Sequence, residues 1–325
     1  MKRAKDETEG KLASAAEIVP SLPAKLQREL TLSRVDQKLI AASASIRHTP
    51  PEDIAYQHTV LCQTSMPYRS TSARTWTRRN GKVILHMEAG SGLDPVNEKY
   101  IELPLPYGPK ARLILLYLNT AAIRTQSRVI EAEGSMTSFI RELQNGREPN
   151  GDEIKKFQQQ LRALAKARIN LGVVDNQRSL DGKLDIVESF DVWFSKDTRQ
   201  RVLWTSTVEL SQKYFDTLIK HAVPLDPRGI AALSHSALAL DLYTWLAQRL
   251  HRIGNKPELA TWSNLQEQLG DSYKEIRMLR RAVNNALADV KTQYPDAHFQ
   301  TDQRGITLFN SPPPVRRKLV QVAGS

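Results

Sequence analysis

The chain of 325 residues is 40% hydrophobic and carries 46 Lys and Arg against 35 Asp and Glu, a formal net charge of +11. Two domains with real cores fit these figures and wholesale disorder does not; the basic surplus makes a polyanion the expected partner, since Lys and Arg displace counterions from phosphates. The longest apolar run, "LILLYL" at 113–118, falls short of the ~20 residues a membrane span needs, and a single cysteine, Cys62, allows neither an intrachain disulfide nor a cysteine zinc site.

Residues 1–20 mix opposite charges with small residues and predict a loose arm. The opening "MKRAKDETEGK" has no apolar h-region, so a secretory signal is not expected and the reducing cytosol is. Leu26 to Ile40 predicts one short amphipathic helix, closed by "HTPPED". In "TWTRRNGKVILHM" (75–87) apolar and polar residues alternate about Asn80-Gly81, a hairpin signal. Arg69, Arg74, Arg78, Arg79 and Lys82 lie between Cys62 and Met87 without one acidic residue, so this is a basic hairpin, with Arg78 and Arg79 as candidate DNA contacts. After "LPLPYGP", Ala111 to Ile123 is apolar on nearly every side and predicts a helix central to a core.

Ser135 is an N-cap candidate for a short helix, Met136 to Leu143; "NGREPNGD" breaks it, and Asp152 is expected to cap a long helix from Glu153 to about Ile169. "INLGVV" and "KLDIVESFDVWF" then alternate like strands around Asp181-Gly182, "RVLWTSTVEL" adds another, and a helix near Gln212–Lys220 follows. "HAVPLDPRG" (221–229) reads as a linker.

Beyond it the order recurs. "ALALDLYTWLAQRLHRI" is a long apolar helix, Ser263 caps a short one, "GDS" breaks it, Tyr273 to about Lys291 is a long helix, and "AHFQTDQRGITLFN" forms two short strands around Arg304-Gly305. Tyr117 falls on Tyr243 and Thr137 on Ser263 at one common offset; past the break, Phe157 falls on Leu279, Leu161 on Val283 and Leu164 on Ala286. One unit of helix, short helix, long helix and hairpin is therefore written twice.

At 100° per residue, Ile276, Leu279, Val283, Leu287 and Val290 share one face of the last long helix. Lys274, Arg277, Arg281 and Asn284 gather about 150° round, with Arg280 on the flank. A cationic stripe opposite an apolar one is ordinarily just a solvated helix face. Here it follows a short helix and a tight break and precedes a hairpin, the order of a winged helix-turn-helix, in which a helix enters the major groove and the wing follows the backbone. Arg and Asn suit guanine and adenine edges, and Arg304 at the hairpin tip is expected on phosphate. In the first copy Lys155, Gln159, Arg162 and Lys166 fall where the second has Arg277, Arg281, Asn284 and Ala288; being less basic, they predict weaker base reading.

No nucleotide-binding glycine motif and no H-E-x-x-H occurs, "EAGSGLDP" (88–95) reads as a loop, and the seven histidines include no close pair at metal-ligand spacing. No catalytic residue, metal or cofactor is therefore expected.

Two stretches, "YGPKARLILLYLNTAAIRTQSRVIEAEGSMTSFIREL" (107–143) and "HAVPLDPRGIAALSHSALALDLYTWLAQRL" (221–250), resemble the RepA-type plasmid replication initiators of bacteria. With "LCQTSMPYRS" and "WTRRNGKVILHMEAG" upstream, the likeness spans roughly 60–310. It implies an α+β, helix-rich chain of two tandem winged-helix domains behind a flexible N-terminal arm: an arm at 1–55 with one short helix, a first domain with an extra basic hairpin at 56–222, a second domain at 223–312, and a basic tail at 313–325. It further implies binding to repeated duplex sites (iterons) at a plasmid origin, origin opening, recruitment of the host initiator and helicase, dimer and monomer forms, autorepression with plasmid copy control, and a place on plasmid DNA in the bacterial cytoplasm. The family assigns most base reading to the second domain, hence to Lys274, Arg277, Arg281 and Asn284. It assigns backbone contact and dimerisation to the first, hence to Lys155, Gln159, Arg162 and Lys166. The alternatives are a transcriptional regulator on the same scaffold and a DNA-processing enzyme such as a primase or nickase.

Overall fold

A computed structural model describes residues 32–94, 98–132, 140–141, 147–175, 178–180, 186–191, 206–269, 273 and 275–315. The arm before Leu32, most of the short helix expected at 136–143, the Asp181-Gly182 turn, the "GDS" break, Lys274 and the tail after Val315 lie outside them.

Helix α1 runs Arg34–His48, later than the sequence pattern places it. Ser33 Oγ accepts the Asp36 amide at 3.1 Å and Asp36 returns to the Ser33 amide, a capping box that fixes the start, while Pro50 and Pro51 forbid continuation. The helix is docked onto the far end of the chain: Gln293 donates to the Leu39 carbonyl at 2.9 Å, and the Arg228 guanidinium reaches the Ser45 and Thr49 carbonyls.

Strand β1 (Ala55–His58) pairs antiparallel with β11 (Ala222–Leu225) from Ala55↔Leu225 to His58↔Ala222. The segment read as a linker is thus a strand followed by helix α5 (Pro227–Leu233). Val223 and Leu225 alternate inward, and the proline between them is tolerated because the ribbon has only two strands.

The basic hairpin forms as β2 (Thr75–Asn80) and β3 (Val83–Glu88), its loop one residue later than Asn80-Gly81. Gly81, at the first loop position with φ 57°, supplies the positive φ of a type II′ connection. The hairpin does not stand alone. Strand β7 (Arg168–Asp175) pairs with β3 along its length and then with β8 (Arg178–Leu180), giving a four-stranded sheet β2-β3-β7-β8. This replaces the expected pairing of β7 with the "KLDIVESFDVWF" strand, which as β9 (Val187–Asp191) pairs with β10 (Ser206–Leu210). A two-stranded ribbon, β4 (Ser91–Asp94) and β5 (Lys99–Glu102), precedes helix α2 (Gly108–Thr125).

Helix α2, strand β6 (Val129–Ala132), helix α3 (Gly151–Lys166), β9 and β10 make the first unit, with sheet order β6-β10-β9. Helix α4 (Gln212–His221) follows it. Asn150, not Asp152, caps α3: its side chain accepts the Glu153 amide at 2.9 Å and Glu153 closes the box. The helix also ends before Ile169, which is already in β7.

Helix α6 (Ala237–Arg249), strand β12 (Glu258–Thr261), helix α7 (Trp262–Leu269), helix α8 (Ile276–Gln293), β13 (Phe299–Thr301) and β14 (Gly305–Leu308) make the second unit. Its sheet order, β12-β14-β13, repeats that of the first: the strand before the long helix pairs with the last strand. Thr261, not Ser263, caps α7, its Oγ1 accepting the Asn264 amide at 3.2 Å. Strands β12 and β14 approach so closely that a Cβ on Gly305 would stand 2.1 Å from the Ala260 carbonyl oxygen.

The two units share one continuous apolar core. Leu113, Ile114, Leu115 and Leu118 of α2 and Leu242, Tyr243 and Leu246 of α6 are all inside it, as the all-round apolar character of both helices requires. Through it runs a buried ion pair: Arg112 Nε and Nη2 hold Asp241 Oδ1 and Oδ2 at 2.6 and 2.8 Å. The rest of the guanidinium is satisfied by the carbonyls of Met66, Pro67 and Gly108. Among the described residues, no helix is long and apolar enough to cross a membrane and no group of side chains could hold a metal ion.

Candidate nucleic-acid interface

Helix α8 is two-faced. Leu279, Val283, Ala286, Leu287 and Val290 are buried, while Arg277, Met278, Arg281, Asn284, Asn285 and Ala288 are exposed. Ile276, assigned to the apolar face from its spacing, stands 37% exposed, because it is the first residue of the helix and overhangs the end of the core. The first turn itself holds no acidic residue, but the N-cap is Glu275, whose carboxylate offsets part of the positive potential at this end of the helix.

The cations differ in how far they are committed. Arg277 is held by Glu275 through Nε at 2.6 Å, in the open. Arg280 lies over the indole of Trp262, 5.5 Å from the ring centroid, and is half-buried. Arg281 and Asn284 reach outward with no ion pair or side-chain hydrogen bond found among the described residues.

Trp262 ties the β13–β14 hairpin to the helices. Its amide donates to the Arg304 carbonyl at 3.1 Å and its indole N–H to the Asp302 carbonyl at 2.9 Å, while its ring carries Arg280. At the tip of the β13–β14 loop, Asp302 Oδ1 accepts the amides of Arg304 and Gly305 at 2.7 and 3.1 Å, and Oδ2 accepts the Arg304 guanidinium. Those two amides, with Arg304 beside them, hold the Asp302 carboxyl below the usual carboxylate range. Arg304 is therefore exposed at the tip but partly neutralised. Neither Trp262 nor Asp302 was singled out from sequence; an Asp two residues before Arg304 in "TDQRG" is the turn signal that could have found the second.

The first unit presents Lys155, Gln159 and Lys166 in the open on α3. Arg162 does not join them freely: it is half-buried and donates to the Leu93 carbonyl of β4. In the basic hairpin, adjacent arginines part company. Arg79 is exposed and folds its Nε onto the Gly81 carbonyl. Arg78, expected on the outer surface, is only 9% exposed, stacked 3.6 Å from the centroid of Trp76 with Nη1 donating to the Thr77 carbonyl. The hairpin packs on α7 of the second unit. Trp76 donates to the Ser65 carbonyl and Ser65 Oγ donates to the Gln268 carbonyl at 2.7 Å. Burial pushes the Tyr273 hydroxyl up, with Arg69 acting against it.

No curated protein matches the chain. Among solved structures it is similar to domains 2–3 of RctB, in a crystal structure of that fragment and in one of its selenomethionine derivative. The TM-scores are 0.44 and 0.47, each at 11% identity, covering 77% of this chain and 94% and 96% of theirs. The family described as "plasmid encoded RepA protein" matches the segment that runs from α2 through α6 into the start of α7. That match covers residues 105–264, just under half of the chain, and over them the chain is similar to plasmid encoded RepA proteins.

Proposed function

We propose that this protein is a plasmid replication initiator whose two units are winged helices that bind repeated duplex sites at an origin. The observation that carries the reading is the two-faced α8: one side is locked into the core, and the other offers Arg277, Arg281 and Asn284 beside a wing that ends in Arg304. A helix with side chains is about 10–12 Å across and fits the ~12 Å major groove of B-DNA. The net charge of +11 draws the chain to phosphate, and the exposed α8 side chains then discriminate between base edges. On the first unit, Lys155, Gln159 and Lys166 serve as a weaker, backbone-level contact, with Arg162 committed to β4. Arrays of bound protein would strain neighbouring DNA and gather host initiator and helicase, and self-association would let the protein repress its own gene. No catalytic step and no cofactor enters this reading.

A plasmid whose only origin is the DNA flanking this gene tests it. The plasmid is expected to be maintained when the protein is supplied in trans and lost when it is withheld. Repression of the flanking promoter without any maintenance would instead make the protein a regulator. Metal-dependent nicking or primer synthesis by the pure protein would make it an enzyme.

A further inference from the structure

We propose that Met278 recognises the 5-methyl group of a thymine in the major groove, next to the base contacted by Arg281. The inference rests on the reading of α8 as the groove-facing helix and adds a specificity-determining side chain to it. Met278 is 55% exposed in the first turn of a helix whose other large apolar residues, Ile276 apart, are buried. At 100° per residue, Met278, Arg281 and Asn285 fall within about 60° of one another, so they form one outward stripe. All three are exposed, and the neighbouring cations are occupied: Arg277 by Glu275 and Arg280 by the Trp262 ring.

The surroundings decide between kinds of partner. A protein surface that buried the thioether would also desolvate Arg281 beside it, at a cost only a matched anion could offset. The major groove offers both requirements together: phosphates and guanine acceptors for the guanidinium, and thymine methyls as the apolar features of the groove floor. An unbranched, polarisable thioether adapts to such a methyl without needing a shaped pocket.

The test uses the full-length protein and a duplex recovered by selection from random sequence, with each thymine replaced in turn by deoxyuridine, which removes only the methyl. At one position in the site, deoxyuridine is expected to weaken wild-type binding about fourfold, the weight of one buried methyl-sized group. Met278→Ala is expected to keep its preference for the selected duplex while losing sensitivity at that position, and Met278→Leu to retain part of it. Indifference of the wild type to every replacement, or equal sensitivity in Met278→Ala, overturns the assignment. So does a Met278→Ala phenotype confined to self-association in sedimentation. If no duplex is preferred over random DNA, the groove-facing reading of α8 itself has failed, which separates the two.

Discussion

Arg281 and Arg304 carry the same charge in different surroundings, so their loss should be felt differently. Arg281 is exposed on the outward face of α8 with no ion pair among the described residues, whereas Arg304 sits at a loop tip clasped by Asp302. Arg281→Ala is expected to weaken binding to the selected duplex more than to random duplex, by about 1–3 kcal/mol. Arg304→Ala is expected to weaken both alike and to reduce the slope of log affinity against log salt by up to about one unit. Fluorescence anisotropy over a salt series separates them, and equal loss on both duplexes would demote Arg281 to a phosphate contact. A different residue governs stability. His58 is buried, stacked 5.0 Å from Tyr214, with Nδ1 accepting the Val60 amide and Nε2 left to donate to Thr217 Oγ1. Burial, with His221 nearby, lowers its pKa to about 4. Below the ordinary histidine value the unfolded chain therefore takes up a proton that the folded chain refuses, and stability falls with acidification down to about pH 4. Between pH 6.5 and 5 this amounts to roughly 2 kcal/mol. His58→Gln should flatten that part of the melting-temperature profile, and an unchanged profile would assign the acid sensitivity elsewhere. Single residues were the least legible in the sequence. Arg78 and Arg79 look alike there, yet strand alternation sends one under Trp76 and the other to solvent; the pairing of Arg78 with the buried Leu85 holds the answer.

Individual elements were far more legible. Helices apolar all round, α2 and α6, are central, and two-faced α8 lies half-buried at the surface, because periodicity alone fixes which side of a helix can be wetted. The starts of α3 and α7 moved by two residues because a neighbouring polar side chain offered a better cap, Asn150 for Asp152 and Thr261 for Ser263. Strand partners were the weak point. The pairing of β3 with β7 joins segments that only the folded chain brings together, and nothing local in "INLGVV" distinguishes that partner from the nearer β9. The β12-β14-β13 sheet has a more local requirement. Gly305→Ala would drive a methyl to 2.1 Å from the Ala260 carbonyl oxygen, so β14 must move away from β12. The expected cost is about 1–3 kcal/mol by thermal unfolding. A variant as stable as wild type would show that the sheet can shift without penalty.

At the scale of the whole molecule, the two repeated units are not beads on a linker. Strand β11 pairs with β1, helix α1 packs on the second unit, and Arg112 of α2 grips Asp241 of α6 inside a single core. The linker reading failed because proline and charge in "HAVPLDPRG" mask two inward-pointing residues, and because the ion pair joins positions no periodicity connects. Arg112→Met or Asp241→Leu alone leaves a buried charge without its partner and is expected to cost about 3–5 kcal/mol, while the double substitution should recover most of it. Chemical denaturation followed by tryptophan fluorescence reads this out; singles no worse than the double would show that the pair contributes little. The same shared core also takes in the buried side of α8 and residues of β14, and so places that helix and the β13–β14 hairpin against the rest of the chain. Whether the outward face of α8 reads sequence is settled by selecting binding sites from random duplexes with wild-type protein and with Arg281→Ala in parallel. The wild type should enrich one motif that recurs as repeats in the DNA beside its gene, and the variant should lose definition at a guanine within it. Bound DNA indistinguishable from the input pool, or an identical motif from both proteins, would contradict α8 as the reading element.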